Sequence, residues 1–410
     1  MIGLRIAAAT AAITVTSGIA LANGPDRAPR YRVEEVRAPF SLVARCLSGY
    51  GNSIQVAINN FGVVGGNFSC PSQPDSTTGE STSASGPFVW SSWFGGLELH
   101  DDNPSFMTSI NNRNEIFGAD FGPTGLLTGI KWSLAGGLET VFPNDPSCDV
   151  IKLDIAVAGN GRYAVGTGFR ASPDLPIPGL CLSEAWITRK PTGEIVTSLL
   201  SAHPVDINAF NVGVGVWQNN TAIRLNVVND ELRVLHTGDS LQPAFTTDIN
   251  DGGEVSGYLS NSEPNPQTGS CPTISAVPVR WDRDDHETVL QNLPGAVSAR
   301  AWGVGLNGTT VGDSGPGQYC EPAGPTQEHA VLWRGDKPLD LNAAIASHLG
   351  LTLVSATSVN RWGQLTVTGY RNSDSMVMCL VNALDPQTGQ STTSWQPVCR
   401  QQRAYVLTPQ

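Results

Sequence analysis

"DINDGGEVSGY" (Asp248 to Tyr258) is the outline of a hairpin: an apolar residue, Asn, two loose positions, Gly, and then a short strand that carries a further Gly. Asn and Gly tolerate the positive φ that tight hairpin turns require, and the flanking Ile, Val and Tyr suit pleated, half-buried strands. The same outline returns in "AINNFGVVGG" (57 to 66), "SINNRNEIFGA" (109 to 119), "AVAGNGRYAVGT" (156 to 167), "DINAFNVGVGV" (206 to 216), "GVGLNGTTVGD" (303 to 313) and "SVNRWGQLTVTGY" (358 to 370). Its turn residues are Gly62, Asn114, Gly161, Asn211, Gly253, Gly308 and Gly363, spaced 42 to 55 residues apart. A period of about fifty residues is the mark of a repeat architecture in which each unit buries its apolar face against the next.

Beyond the hairpin, five units carry a third strand near a Trp: "PFVW" to Trp90, "GIKW" to Trp132, "EAWI" around Trp186, "VPVRW" to Trp281 and "AVLW" to Trp333. A fourth follows in "LELH" (97 to 100), "LETVF" (138 to 142), "EIVTSLL" (194 to 200), "ELRVLH" (231 to 236), "ETVLQNL" (287 to 293) and "PLDL" (338 to 341). Seven units of four antiparallel strands predict an all-β, seven-bladed β-propeller. The last unit ends with "RAYVLTP" (403 to 409) and lacks a fourth strand, while "YRVEEV" (31 to 36) precedes the first unit without an assignment. Placing Tyr31 to Val36 beside the terminal strand completes the seventh blade and closes the ring, leaving no open edge. A solenoid would need capping units, and paired sandwiches a linker; neither is visible in the sequence.

These units resemble the bacterial extracellular repeat family known for the HAF motif, with its strings of "INxxGxVVG", an "AFLW"-like strand and an "AFLLTP"-like close. Here the matching pieces are "INNFGVVG", "HAVLW" (329 to 333), "PLDLN" (338 to 342) and "AYVLTP" (404 to 409), over nearly the whole chain after the leader. The third and sixth units depart, because Asn is missing from the Ile-Asn position. The resemblance implies export and a propeller-like fold, and brings with it no activity and no functional residues.

The first residues, "MIGLRIAAATAAITVTSGIALANG", place one Arg before an apolar run that ends in Ala20-Leu21-Ala22. This is the pattern of a secretory signal peptide, residues 1–22, with a short linker at 23–30 and a single propeller domain over 31–410. The expected location is extracellular or periplasmic. With 24 Lys and Arg against 36 Asp and Glu, the chain is acidic, which argues against nucleic acid as a partner. After the leader no apolar run approaches the length of a spanning helix. A monomer binding an unknown protein or glycan is expected, with no cofactor.

Eight cysteines, an even number in an exported chain, favour disulfides: Cys46, Cys70, Cys148, Cys181, Cys271, Cys320, Cys379 and Cys399. No C-x-x-C pair and no HExxH motif points to zinc. Their positions suggest Cys46 with Cys70, Cys148 with Cys181, Cys379 with Cys399, and an interblade Cys271 with Cys320. All of them map to the face opposite the Asn/Gly turns, together with the long irregular stretches 69–86, 170–184, 260–275, 313–328 and 371–402. Since function concentrates on loops held by a rigid scaffold, this stapled rim is the expected contact surface.

Two hydrolase signatures compete with this reading. "GDSL" (Gly238 to Leu241) is an esterase motif, but the residues three before the six histidines are Leu97, Leu200, Arg233, Arg283, Thr326 and Ile345, so the companion Asp is missing. "GDSGPG" (312 to 317) approaches the trypsin nucleophile motif around Ser314, with His203 in "SAHP" upstream. It departs from GDSGGP, and its first residues stand in register with Val64-Gly65-Gly66 of the repeat. No catalytic, cofactor or metal residue is therefore assigned. A carbohydrate-active enzyme, a glycoside hydrolase or lyase using loop carboxylates, is the alternative; Asp101, Asp102, Asp145, Asp239 and Glu321 are its acids on the long-loop face. Asp282, Asp284 and Asp285 in "WDRDDHE" lack the ligand spacing of a calcium loop. Trp302 and Trp362 stand outside the strand-end pattern and could stack on a sugar, though packing between blades is expected of both.

Overall fold

All seven turn residues adopt positive φ, between 57° and 83°, so the backbone conformation that the repeated Asn and Gly were read to permit is used in every unit. The computed structural model describes residues 30–44, 52–69, 85–99, 105–121, 127–133, 137–142, 155–170, 183–218, 220–239, 242–263, 273–316, 328–384 and 391–410. Within them the strands form seven four-stranded antiparallel sheets and one separate two-stranded hairpin. The sheets are the blades of a seven-bladed β-propeller. Their innermost strands are Asn52–Ile58, Ser105–Ile110, Ile155–Gly159, Ala202–Ile207, Ala244–Ile249, Ser298–Val304 and Leu351–Val359.

The repeated Asn has two tasks. Within its own unit the side-chain oxygen of Asn59 accepts from the Phe61 and Val63 amides at 3.0 and 3.1 Å, which shapes the turn. Across the ring its Nδ2 donates to the Asn111 carbonyl of the next blade at 3.0 Å. The link repeats from Asn111 to Gly159, Asn160 to Asn208, Asn208 to Asn250, Asn250 to Gly305, and Asn360 to Asn59, all at 2.7 to 3.1 Å. The third unit, which lacks the Ile-Asn pair in sequence, still takes part, because Asn160 fills the position after Gly159. In the sixth unit Gly305 has no side chain to offer, and the circle of amides is interrupted there.

Blades pack face to face, so the core is a series of layers between neighbours. One layer joins Ala158, Val165 and Trp186 of the third blade to Ala202, Ile207, Ile223 and Leu225 of the fourth. Trp90, Trp132, Trp281 and Trp333 occupy one equivalent position, opposite Val64, Ile116, Val255 and Thr310. Trp186 does not. Arg189 holds that position in the third blade, whereas Trp186 lies opposite Thr167 and fills the space left by Gly213 in the next blade, where an added Cβ would come within 2.6 Å of the indole. Leu225 and Leu407 take the Trp position in the fourth and seventh blades.

Ring closure follows the expected plan. Tyr31–Val36 pairs antiparallel with Arg403–Pro409, from Tyr31 opposite Pro409 to Val36 opposite Ala404, and becomes the outer strand of the seventh blade. Tyr31 and Val36 are buried, and Glu35 is clamped between Arg371 at 2.6 Å and Arg403 at 2.9 Å. Those two guanidiniums hold the Glu35 carboxyl below its ordinary range, against the opposing effect of burial.

The stretch 371–402, read from sequence as one irregular insertion, contains two long strands, Met376–Leu384 and Ser391–Arg400, paired as a hairpin beside the seventh blade. Cys379 and Cys399 lie on these strands, with Cys399 opposite Val377 and Cys379 opposite Gln396. Likewise Val255–Glu263 and Thr273–Trp281 run on as paired strands into the 260–275 stretch. Cys46, Cys70, Cys148, Cys181, Cys271 and Cys320, residues 1–22 and most of the other long stretches lie outside the described residues. Among the described residues, no helix is long and apolar enough to cross a membrane.

Candidate functional site

Every inner strand carries a break in pairing register at one height, beside Gln55, Met107, Ala156, Pro204, Thr246, Ala301 and Ala356, and the last blade carries a second beside Leu353. A β-bulge re-aims its extra residue, and here the extra residues include Thr108, Val205, Thr247, Trp302 and Thr357. They line a cavity of about 260 Å³ on the ring axis, open toward the Asn/Gly turns. Thr108 and Thr247 donate to carbonyls of the neighbouring blade, at 2.8 Å to Ala156 and 2.7 Å to Ala301. The channel wall is thereby part of the fastening between blades.

The next residue inward on each strand is small or neutral in most blades, but it is Asp206 in the fourth and Asp248 in the fifth. The two half-buried carboxyls are hydrogen-bonded to each other inside the channel. Each also accepts a backbone amide of the following blade: Asp206 from Ile249 at 3.4 Å, Asp248 from Val304 at 2.8 Å. Burial, and then the charge of Asp248, push Asp206 well above the ordinary carboxylate range. Burial also raises Asp248, against the proton it receives from Asp206 and the backbone amides that favour its charge. The burial of two carboxyls in contact favours a proton held between them.

This has a pH consequence of definite sign. A carboxyl whose folded-state pKa is raised binds more protons folded than unfolded, so its contribution is complete below the unfolded value of about 3.9 and is lost as pH rises through the folded one. Asp206→Asn keeps a neutral donor toward Asp248 and an acceptor for the Ile249 amide at every pH. The variant is expected to melt above the native chain at pH 8, with the difference shrinking as the pH falls to 4. Thermal melts across that range check it, and a difference constant with pH would show that the pair does not share a proton.

Around the channel mouth the third residue of several turns points away from the ring. Phe61, Phe210 and Trp362 occupy this place and are 66%, 67% and 59% exposed. Packing between blades was expected of Trp362; its ring is instead largely exposed, and its contact with the first blade is a hydrogen bond from Nε1–H to the Asn60 carbonyl at 2.9 Å, with the Arg361 guanidinium 4.4 Å from the ring centre. Trp302 is half-buried in the channel, its indole N–H bonded to the buried Asp313 carboxylate and its ring centre 5.6 Å from that of Tyr258 in an edge-on arrangement.

The hydrolase motifs resolve into structure. Ser314 is 2% exposed on the second strand of the sixth blade, Thr310–Gly315, where its hydroxyl donates to the Ser298 carbonyl at 3.3 Å and accepts from the Leu293 amide at 3.2 Å. A nucleophile must reach its substrate, and this hydroxyl is enclosed. His329 lies opposite Ser314 in the sheet and bonds Asp340 at 2.7 Å. Gly238 and Asp239 of "GDSL" connect the fourth blade to the fifth, and Asp239 caps its own turn by accepting from the Gln242 amide at 2.7 Å. Ser240, Asp101, Asp102, Asp145 and Glu321 lie outside the described residues. In "WDRDDHE", Asp282 accepts the amides of Asp284 and His286, and Asp285 meets Arg224 of the fourth blade at 3.0 Å. Arg224 donates to the carbonyls of Gly253, Asp282 and Arg283, so a guanidinium occupies the centre of this acidic turn. Among the described residues no group of three or more His, Cys, Asp or Glu is placed to hold a metal ion.

No family model matches the sequence, and no curated protein is similar to it in sequence. The fold is similar to those of solved structures. An acylaminoacyl peptidase from Pyrococcus horikoshii superposes with a TM-score of 0.50 at 9% identity, over 85% of this chain and 51% of its own. A structure from an analysis of two prolyl endopeptidases gives 0.51 at 10% identity, over 87% and 51%. An oligogalacturonate lyase from Vibrio parahaemolyticus gives 0.48 at 9%, over 92% and 97%. The chain thus spans about half the length of the two peptidases, and at these identities the likeness is one of fold alone.

Proposed function

We propose that this propeller is an exported binding scaffold that recognises a protein or glycan partner on the turn face of the ring. The observation that carries the proposal is the trio Phe61, Phe210 and Trp362, large apolar side chains held at the same place in three turns and left open to solvent around the channel mouth. Exposed aromatic surface on a rigid frame is characteristic of recognition sites. Export rests on the signal-like leader, and the HAF-like order of the repeat pieces supports a place among extracellular repeat proteins. The alternative, a glycoside hydrolase or lyase, needs carboxyls placed across the substrate, for hydrolysis a pair roughly 5 to 10 Å apart. Asp206 and Asp248 are in direct contact and both hold backbone amides, which suits a structural role.

A combined protein and glycan array probed with the chain from Asn23 onward tests the proposal. Loss of the hits in a Phe61→Ala, Phe210→Ala, Trp362→Ala triple variant is the expected result. Hits that survive it but vanish when 371–402 is shortened would move recognition to the stapled loop rim expected from the sequence.

A further inference from the structure

Phe61 and Trp362 belong to adjacent blades, the first and the last, and form the walls of a cleft beside the axial channel, with Asn60 lining both. Asn60, Gln364, Thr408 and Pro409 complete this shallow, open cleft of about 340 Å³. We infer that this cleft is a binding site for a neutral oligosaccharide; the inference rests on the scaffold reading above and names the ligand class for one part of that face.

Three features select this ligand. Two exposed aromatic side chains offer apolar surface of the kind on which the C–H face of a pyranose ring stacks. Trp362 is fixed before any ligand arrives, since its indole N–H is bonded to the Asn60 carbonyl and Arg361 lies against its ring, so little side-chain freedom is left to lose on binding. Beside the rings are Nδ2 of Asn60, Nε2 of Gln364 and the Thr408 hydroxyl, which can serve sugar hydroxyls; the two amide oxygens are held by the Arg361 N–H at 2.9 Å and by Asn360 Nδ2 at 2.8 Å, and Gln364 Nε2 donates to Thr408 at 3.3 Å, a long bond that an incoming hydroxyl can replace.

The six lining residues carry no charge, and the one guanidinium beside them, that of Arg361, already lies over the Trp362 ring, which argues against an ionic ligand. A proline-rich peptide is the other ligand that aromatic clefts attract, and such grooves use their aromatic surface together with a donor for the peptide carbonyl. Here the Trp362 N–H is committed to Asn60, while the Thr408 hydroxyl can accept as well as donate, which a sugar hydroxyl can use and a peptide carbonyl cannot.

The test is calorimetric titration of the chain from Asn23 onward with maltohexaose, cellohexaose, mannohexaose and xylohexaose, and separately with decaproline. At least one hexasaccharide is expected to bind with a dissociation constant of millimolar or better. Trp362→Ala and Phe61→Ala should each weaken it at least tenfold, Trp362→Phe less than threefold, and Phe210→Ala not at all. Because the three side chains are exposed, the variants should melt with the native chain, and the melt is run alongside. No binding by any of the four sugars, binding unchanged in both alanine variants, or binding of decaproline in their place would each overturn the inference. A protein hit on the array that is lost in the triple variant, with all four sugars silent, would leave the scaffold reading standing and remove only the glycan.

Discussion

A chain beginning at Arg37 is expected to lose cooperative unfolding and to aggregate, whereas one beginning at Asn23 folds. The fourteen residues between them include Tyr31–Val36, whose pairing with Arg403–Pro409 is the non-covalent seam of the ring. Without it Arg403–Pro409 becomes a long open edge rich in apolar residues, a template for pairing with other copies. The buried Tyr31 and Val36 contribute roughly 1.5 to 3 kcal/mol each. Added to these are a six-residue ladder and the Glu35 clamp, against a total stability of about 5 to 15 kcal/mol for a typical domain. The phenol of Tyr405, pushed up to about 12 by burial and by the charge of Glu35, supplies a local readout. In the shortened chain it should titrate nearer the ordinary tyrosine value of about 10. Thermal melts, light scattering and ultraviolet titration follow the three effects, and recovery of the melt on adding a peptide of residues 30–37 would tie them to the seam. A shortened chain that melts like the native one would mean the ring is held elsewhere.

Trp333→Ala is expected to cost about 3 to 5 kcal/mol, the range of large-to-small changes in a packed interior. Trp333 is fully buried in a layer with Leu290, Ala299, Ala301 and Val331, and its Nε1–H donates to the Gln291 carbonyl at 2.7 Å. Alanine leaves both a cavity and an unpartnered carbonyl. The layer has little room to collapse: a Cβ on the facing Gly312 would collide with the Arg300 carbonyl and stand 3.0 Å from the indole, so the strands there are already in contact. Trp362→Ala, removing the same side chain from the turn face, should stay within about 0.5 kcal/mol, as surface changes usually do. Urea unfolding of the pair measures the contrast; equal losses would contradict the assignment of one to the core and the other to a surface.

The turns were legible in the sequence because one residue satisfies two demands. Asn at the turn both shapes its own loop and reaches the next blade, so few substitutes exist and the motif stays visible; the order of strands and the closing of the ring follow from it. Trp186 was less legible, since "EAWI" looks like the other Trp strands and only the glycines at 213 and 215, in the following unit, show that its indole leans across. The hairpin in 371–402 was hidden by Cys, Pro and Gly, which read as loop. Asp206 and Asp248 were overlooked as a site, although "DIN" occurs in two successive units. Position 206 follows a bulge, and without that register break simple alternation does not tell which side chains enter the channel. The exposed place of Trp362 carried a signal too, since Phe61 and Phe210 share its position in their turns.

Tyr31 lies opposite Pro409, and the Gln410 amide donates to the Arg30 carbonyl at 2.9 Å, so both ends of the described chain leave the ring side by side next to Thr408 and Pro409 of the aromatic cleft. Anything joined directly to Arg30 or to Gln410, whether a bead, a cell wall or a fluorescent reporter, therefore stands beside the turn face. Such a tether would shade that face and display the opposite rim, so a support for ligand screening is better attached through an engineered thiol on the outer edge of a blade.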